Sequence, residues 1–165
     1  MAAGDVPRER QAELVSAGTY GTVLVLAAIS VIGVGDVEAG HGAELIAGVG
    51  VATFLAHLFA ELLGEHVRHD EPVRTAHVTA AAVDGSPILA ATVLPAVALL
   101  LGRLDVVGAD TARLAAIVVA VLQLVGLGLL VGRLAPARQA AGWVFAAGAA
   151  VAGVVVVVLT VALGH

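Results

Sequence analysis

The side chains best suited to chemistry are a histidine and a glutamate four residues apart in the second long apolar segment. At about 100° of rotation per helical residue, His57 and Glu61 fall on one polar stripe with Thr53. Residues with this spacing can contact each other on a helix, so an imidazole and a carboxylate would meet inside the apolar segment. Because an ionisable group in lipid costs roughly 3 kcal/mol or more, this stripe must face protein or water.

The polar row continues beyond the apolar segment with Glu65 and His66. Further carboxylate and imidazole groups follow at His69, Asp70 and Glu71. Such ligands suit a hard or borderline divalent cation, which predicts a metal site at Glu61, Glu65 and His66. The same row could relay protons, because imidazole exchanges its proton near neutral pH. In the structural alternative, His57 and Glu61 hydrogen-bond each other or a neighbouring helix, and the charged run is a solvated helix end.

Tyr20 and Asp84 complete a predicted ion pathway with His57 and Glu61. Tyr20 shares a face of the first apolar segment with Ser16, near the end where the His–Glu pair lies. Its hydroxyl could reach that pair, but we favour a role as an anchor at the membrane interface. Asp84 precedes the third apolar segment, where it is either a turn or capping residue or a carboxylate at the mouth of the pathway.

Five apolar segments position these side chains, and each is predicted to cross a membrane as a helix: 15–34, 43–63, 87–101, 111–131 and 140–163. Four of them reach the ~20 residues that span a ~30 Å hydrocarbon core. Hydrophobic residues make up 60% of the chain and charged residues 13%, whereas a soluble domain has about a quarter charged. The predicted fold is therefore an all-α polytopic membrane helix bundle, forming a single domain over residues 1–165.

The third segment is the shortest, and its start can be placed in two ways. The helix either begins at Pro87 with Ser86 as its N-cap, or it continues through a kink at Asp84 from residues on the amino-terminal side. Serine at the N-cap and proline at the first helical position favour the start at Pro87. Residues 75–83 would then form a separate short helix at the membrane interface.

Helix packing has two signals in the sequence. Gly18 and Thr22 are small residues four apart, a spacing that lets membrane helices approach closely. Gln123 is the polar residue in the middle of the fourth segment, and we predict that it hydrogen-bonds a neighbouring helix.

The arginine distribution predicts that the amino terminus lies inside and the carboxyl terminus outside. In this orientation only Arg103 and Arg113 are on the outer side, and Trp143 lies at the inner interface. The other arginines are on the inner side: Arg8, Arg10, Arg68, Arg74, Arg133 and Arg138. The absence of lysine and the abundance of alanine, valine and glycine indicate a GC-rich bacterial genome, hence a multi-pass protein of the bacterial cytoplasmic membrane.

Several functions are disfavoured by composition alone. The net charge of −5 argues against nucleic-acid binding, which needs a clustered basic face. Without cysteine the chain has no thiolate metal site and no cysteine nucleophile. No Ser-His-Asp order or other nucleophile–base motif stands out, so we do not expect an enzyme.

The chain resembles the vacuolar iron transporter family. The resemblance rests on the five-span plan, on the sequence Ala-Glu-Leu-Leu-Gly-Glu-His-Val at 60–67, on the third span around 91–95, and on the closing segment 159–164. That family has a carboxylate on the ion path of its second span, followed by a Gly-Glu pair, which implies transport roles for Glu61 and Glu65. The family's Asp-Gly in the first span and its methionine in the second are not found here. The chain also resembles small membrane proteins of high-GC bacteria.

Two functions fit these features. The first is a transporter or channel subunit for a cation, either a divalent metal or protons, and at least a dimer because alternating access needs a repeat interface or an oligomer. The second is a non-catalytic accessory or scaffold subunit of a membrane protein complex, which the many small residues would suit. The expected partners are the lipid bilayer and either a second copy of the chain or another membrane protein.

Overall fold

The computed structural model describes residues 8–69 and 74–134, together with positions 144, 147, 148, 151, 155 and 158. The first two ranges form five helices: α1 (Arg8–Ser30), α2 (Val34–Ala39), α3 (His41–His69), α4 (Thr75–Arg103) and α5 (Ala109–Leu134). All but the short α2 are long and apolar enough to cross a membrane. The predicted all-α helix bundle is confirmed.

The last predicted span, 140–163, is described only at isolated helical positions. The remainder of that span lies outside the described residues, and so does Trp143 at its start. Arg138 and the closing segment 159–164 lie outside them as well.

Helix α4 is at the centre of the described bundle and contacts α1, α3 and α5. It runs parallel to α1, because Gly18 lies against Pro87 and Gly21 against Ile88. It runs antiparallel to α3 and α5. Among the described residues, α3 and α5 do not contact each other, so they flank the α1–α4 pair on different sides.

The contact between α1 and α4 depends on a glycine. A Cβ added at Gly21 would lie 2.9 Å from the Cα of Ile88, closer than carbon atoms normally approach. One turn earlier, Gly18 faces Pro87, and the hydroxyl of the buried Thr22 donates to the Gly18 carbonyl oxygen at 2.8 Å. Gly18 and the buried Thr22 thus lie in the α1–α4 contact region, but the closest approach is at Gly21 rather than at the predicted pair.

Apolar side chains fill the half of the bundle next to α2. This core includes Leu26, Ile29, Ile46, Leu99 and Ala116. Helix α3 contributes buried residues only as far as Gly50, and beyond it every residue of α3 whose exposure is described is at least partly exposed. In the other half of the bundle, α3 is therefore more exposed.

Helix α4 is continuous through the Asp84–Pro87 region, so the predicted helix start at Pro87 is wrong. Proline has no N–H to donate to the Val83 carbonyl, which would normally disrupt a helix. The Ser86 hydroxyl donates to that oxygen at 2.7 Å instead. Ser86 is therefore not an N-cap, and α4 begins at Thr75, a little over three turns earlier than predicted.

The turn between α1 and α3 contains the short helix α2. Its first turn is closed by the Asp36 carboxylate, which accepts a hydrogen bond from the Gly33 N–H at 2.8 Å. Gly40 ends it with φ of 84°, a left-handed conformation that glycine adopts without strain. Helix α3 starts directly afterwards and returns antiparallel along α4.

Candidate cation cavity

A half-open cavity of about 710 Å³, with both polar and apolar side chains in its wall, lies between α1, α3 and α4. It is near the end of the bundle where Arg8, Arg10, Arg74 and Arg133 are located, which we call the arginine-rich end. The apolar core occupies the other half of the bundle. Alanines on the facing walls, including Ala60 and Ala80, are too small to fill the space between the helices.

Helix α3 contributes the longest polar row to the wall: Thr53, His57, Glu61 and Glu65. Their spacing of four residues places them on one face of the helix. The predicted polar stripe therefore faces a cavity rather than lipid, as the cost of burying charge in hydrocarbon requires. Glu61 is exposed, whereas His57 and Glu65 are partly buried.

The position of His57 depends on a glycine of α4. A Cβ added at Gly85 would lie 3.0 Å from Cδ2 of His57 and 3.3 Å from the ring of Phe54. The missing side chain at Gly85 therefore leaves room for the imidazole of His57 in the cavity wall.

Helix α1 adds Glu13, Ser16 and Tyr20 to the wall. Tyr20 is 55% exposed in the bundle, and it lines the same cavity as His57 and Glu61. The structure therefore places Tyr20 on the same cavity as the polar stripe of α3, and its role as an interfacial anchor stays a prediction.

Asp84 lies in the middle of α4, so it is neither a turn residue nor a cap. Its Oδ1 accepts a hydrogen bond from Nε of Arg10 at 3.0 Å, which forms an ion pair between α4 and α1. The Asp84 side chain is 23% exposed and that of Arg10 45%. Arg10 was predicted only as one of the inner-side arginines, and its contact with Asp84 was not predicted.

The structure does not bring Glu61, Glu65 and His66 together around one point, and the metal site at these residues stays a prediction. Within the described residues, no group of three or more histidine, aspartate or glutamate side chains is placed to hold a metal ion. Glu61 and Glu65 line the cavity, but His66 does not. One residue beyond Glu65, it is turned about 100° around the helix axis. Asp70, Glu71 and the side chain of His69 lie outside the described residues.

Two further ionisable residues of the cavity, Glu13 and His77, were not predicted. Each is seven residues before a predicted site residue on the same helix, Glu13 before Tyr20 and His77 before Asp84. This spacing returns to the same helix face after two turns. If the helical pattern of the two segments had been continued by two turns toward their amino termini, both residues would have been predicted.

The predicted hydrogen bond of Gln123 is not made by its oxygen. Among the described residues, Oε1 of Gln123 is buried without a hydrogen-bond partner, and so is Nε of Arg113 on the same helix. Neither atom faces the cavity, whose wall contains no residue of α5.

The described wall of the cavity is acidic. Four carboxylates line it, those of Glu13, Glu61, Glu65 and Asp84, and the described part of the wall contains no lysine or arginine, although Arg10 beside it pairs with Asp84. A cleft lined by one sign of charge raises the local concentration of ions of the opposite sign. Since Glu13 and Glu61 are exposed, these carboxylates can be reached from outside the bundle.

The helices and the cavity define a small multi-pass membrane protein with a polar, acidic site between three of its helices. No protein-family model, no curated protein and no solved structure matches the chain. The resemblance to the vacuolar iron transporter family therefore stays a prediction.

Proposed function

We propose that this protein is a cation transporter or channel subunit that takes up a small monovalent cation, protons included, in the cavity between α1, α3 and α4. The observation that carries the proposal is the convergence of four carboxylates and two imidazoles from three helices on one cavity. Charged groups within membrane helices usually mark an ion pathway, because they are too costly to keep in lipid otherwise.

The row on α3 supports movement along the helix. Thr53, His57, Glu61 and Glu65 follow one another at intervals of one turn, about 5–6 Å along the axis. Such a row offers a series of sites from the arginine-rich end toward the middle of the membrane. Glutamate and histidine side chains in this arrangement are typical of proton relays.

The cation class follows from the spread of these groups. A divalent metal such as Mg²⁺ or Zn²⁺ needs several ligands at about 2 Å around one point. No group of this kind occurs among the described residues. Carboxylates on three separate helices suit a proton, a hydrated monovalent cation or an organic cation, none of which needs a closed ligand shell.

The proposal is tested by ion flux into proteoliposomes loaded with a pH-sensitive or a sodium-sensitive dye. We expect Glu61→Gln to lower the flux at least about tenfold, the factor that corresponds to 1.4 kcal/mol. Glu44→Gln is the matched control, because Glu44 is an exposed glutamate in the first turn of the same helix, away from the cavity. The control should keep the flux of the unaltered protein.

Equal flux in the two variants would contradict the proposed pathway. An absence of proton and sodium flux in the unaltered protein would contradict transport altogether. In that case an accessory subunit becomes the better hypothesis, and stable co-purification with a membrane partner would be its test.

A further inference from the structure

The ion pair between Arg10 and Asp84 lies at the edge of the proposed cation cavity. Asp84 is one of the four carboxylates on its wall, whereas Arg10 is not a wall residue. Nε of Arg10 contacts Oδ1 of Asp84 at 3.0 Å. The chain thus places its own monovalent organic cation, a guanidinium group, on a carboxylate that would otherwise face an incoming cation.

We propose that Arg10 is a tethered competitor for the cargo cation, which has to displace the guanidinium from Asp84 to use this carboxylate. The inference rests on the proposed function of the cavity. It identifies a residue outside the cavity wall that sets the affinity of the site. It also indicates the kind of cargo. A cation that can take the place of a guanidinium is monovalent and carries hydrogen-bond donors or a hydration shell.

The position of Arg10 suits a reversible contact. It is in the first turn of α1, which begins at Arg8, and its long side chain is 45% exposed. The guanidinium can therefore leave Asp84 for water by rotation of its side chain. Helices α1 and α4 would remain in place, because their contact at Gly21 and Ile88 is about three turns away.

The size of the effect follows from the exposure of the pair. An ion pair that is accessible to water favours the paired over the unpaired state by roughly 1.4- to 5-fold. The apparent affinity of a site is lowered in proportion to the fraction of molecules in which the site is free. Removal of the guanidinium should therefore lower the half-saturating concentration of a cation by roughly two- to sixfold.

The experiment measures uptake of radiolabelled guanidinium ion, as the probe cation, into proteoliposomes. Arg10→Gln and Arg10→Met both remove the charge, and the second keeps an unbranched apolar side chain at this position. We expect both to lower the half-saturating guanidinium concentration two- to sixfold. In an Asp84→Asn background, the Arg10→Gln substitution should have no such effect, because Arg10 can act as a competitor only where the Asp84 carboxylate is present. Monodisperse elution in detergent shows that each variant is folded.

A half-saturating concentration that is unchanged or raised in the folded Arg10 variants would overturn the competitor role while leaving the proposed function intact. An absence of guanidinium uptake in the unaltered protein and in the Arg10 variants would overturn the competitor role as well. The proposed function itself fails only if the proton and sodium fluxes of the Glu61→Gln experiment are also absent.

Discussion

Replacement of Gly21 by valine should separate α1 from α4 and destabilise the bundle. A Cβ at this position would lie 2.9 Å from the Cα and 3.3 Å from the carbonyl oxygen of Ile88. Both are backbone atoms, so they cannot move aside as a flexible side chain would. Carbon atoms prefer separations of about 3.5–4.0 Å, so the two helices would have to move apart by roughly half an ångström or more.

The magnitude follows from two opposing terms. Excess side-chain volume in a well-packed interface costs about 1–3 kcal/mol. Valine has a better helix propensity than glycine, which offsets a few tenths of a kcal/mol. Gly21→Val should therefore be about 0.5–2.5 kcal/mol less stable than the unaltered protein.

The matched control is Gly48→Val in α3, where no described atom lies within 4 Å of the added Cβ. A substitution in open space usually changes stability by about 0.5 kcal/mol or less. Unfolding of both variants can be followed by circular dichroism as the proportion of dodecyl sulfate in mixed micelles is raised. If Gly21→Val unfolds at the same proportion of dodecyl sulfate as Gly48→Val, the close contact of α1 and α4 is refuted.

Two further substitutions test the central helix. Ser86→Ala removes the hydroxyl that donates to the Val83 carbonyl, and we expect a loss of about 1 kcal/mol in the same unfolding assay. Ser86→Thr keeps a donor and should lose less; equal losses would show that the hydrogen bond is unimportant. Gly85→Ala places a Cβ 3.0 Å from His57, so it should shift the imidazole and lower cation flux several-fold at nearly unchanged stability. Unchanged flux would mean that the position of His57 does not matter.

The all-α class could be predicted because a long apolar segment that crosses a membrane has to satisfy its backbone hydrogen bonds internally, as a helix does. Helices α1, α3 and α5 cover most of the predicted segments 15–34, 43–63 and 111–131. The start of α4 could not be predicted, since Ser86 and Pro87 form a typical helix-start signal. Their true arrangement depends on one hydroxyl that replaces a missing N–H.

The part of the candidate site that lies on one helix could be predicted, whereas the contacts between helices could not. The row of His57, Glu61 and Glu65 follows from helical periodicity within one segment. The contact of Arg10 with Asp84 depends on which helices are neighbours and on their relative height, and a single sequence does not contain this information. Closeness along the chain also brought His66 into the predicted metal site, although His66 is turned away from the cavity row.

The central claim is that a cavity between α1, α3 and α4 admits cations and rejects anions, and thiol labelling tests it most directly. The chain contains no cysteine, so each single-cysteine variant has one reactive thiol. Ala56 lines the cavity, whereas Ala90 of α4 is exposed but is not part of its wall. Ala56→Cys should react roughly tenfold or more faster with a cationic methanethiosulfonate than with an anionic one. Ala90→Cys should react with neither, because a side chain exposed outside the cavity in a membrane span faces lipid, which excludes charged reagents. Equal rates with the two reagents at Ala56→Cys, or no reaction there, would contradict a cation-selective cavity.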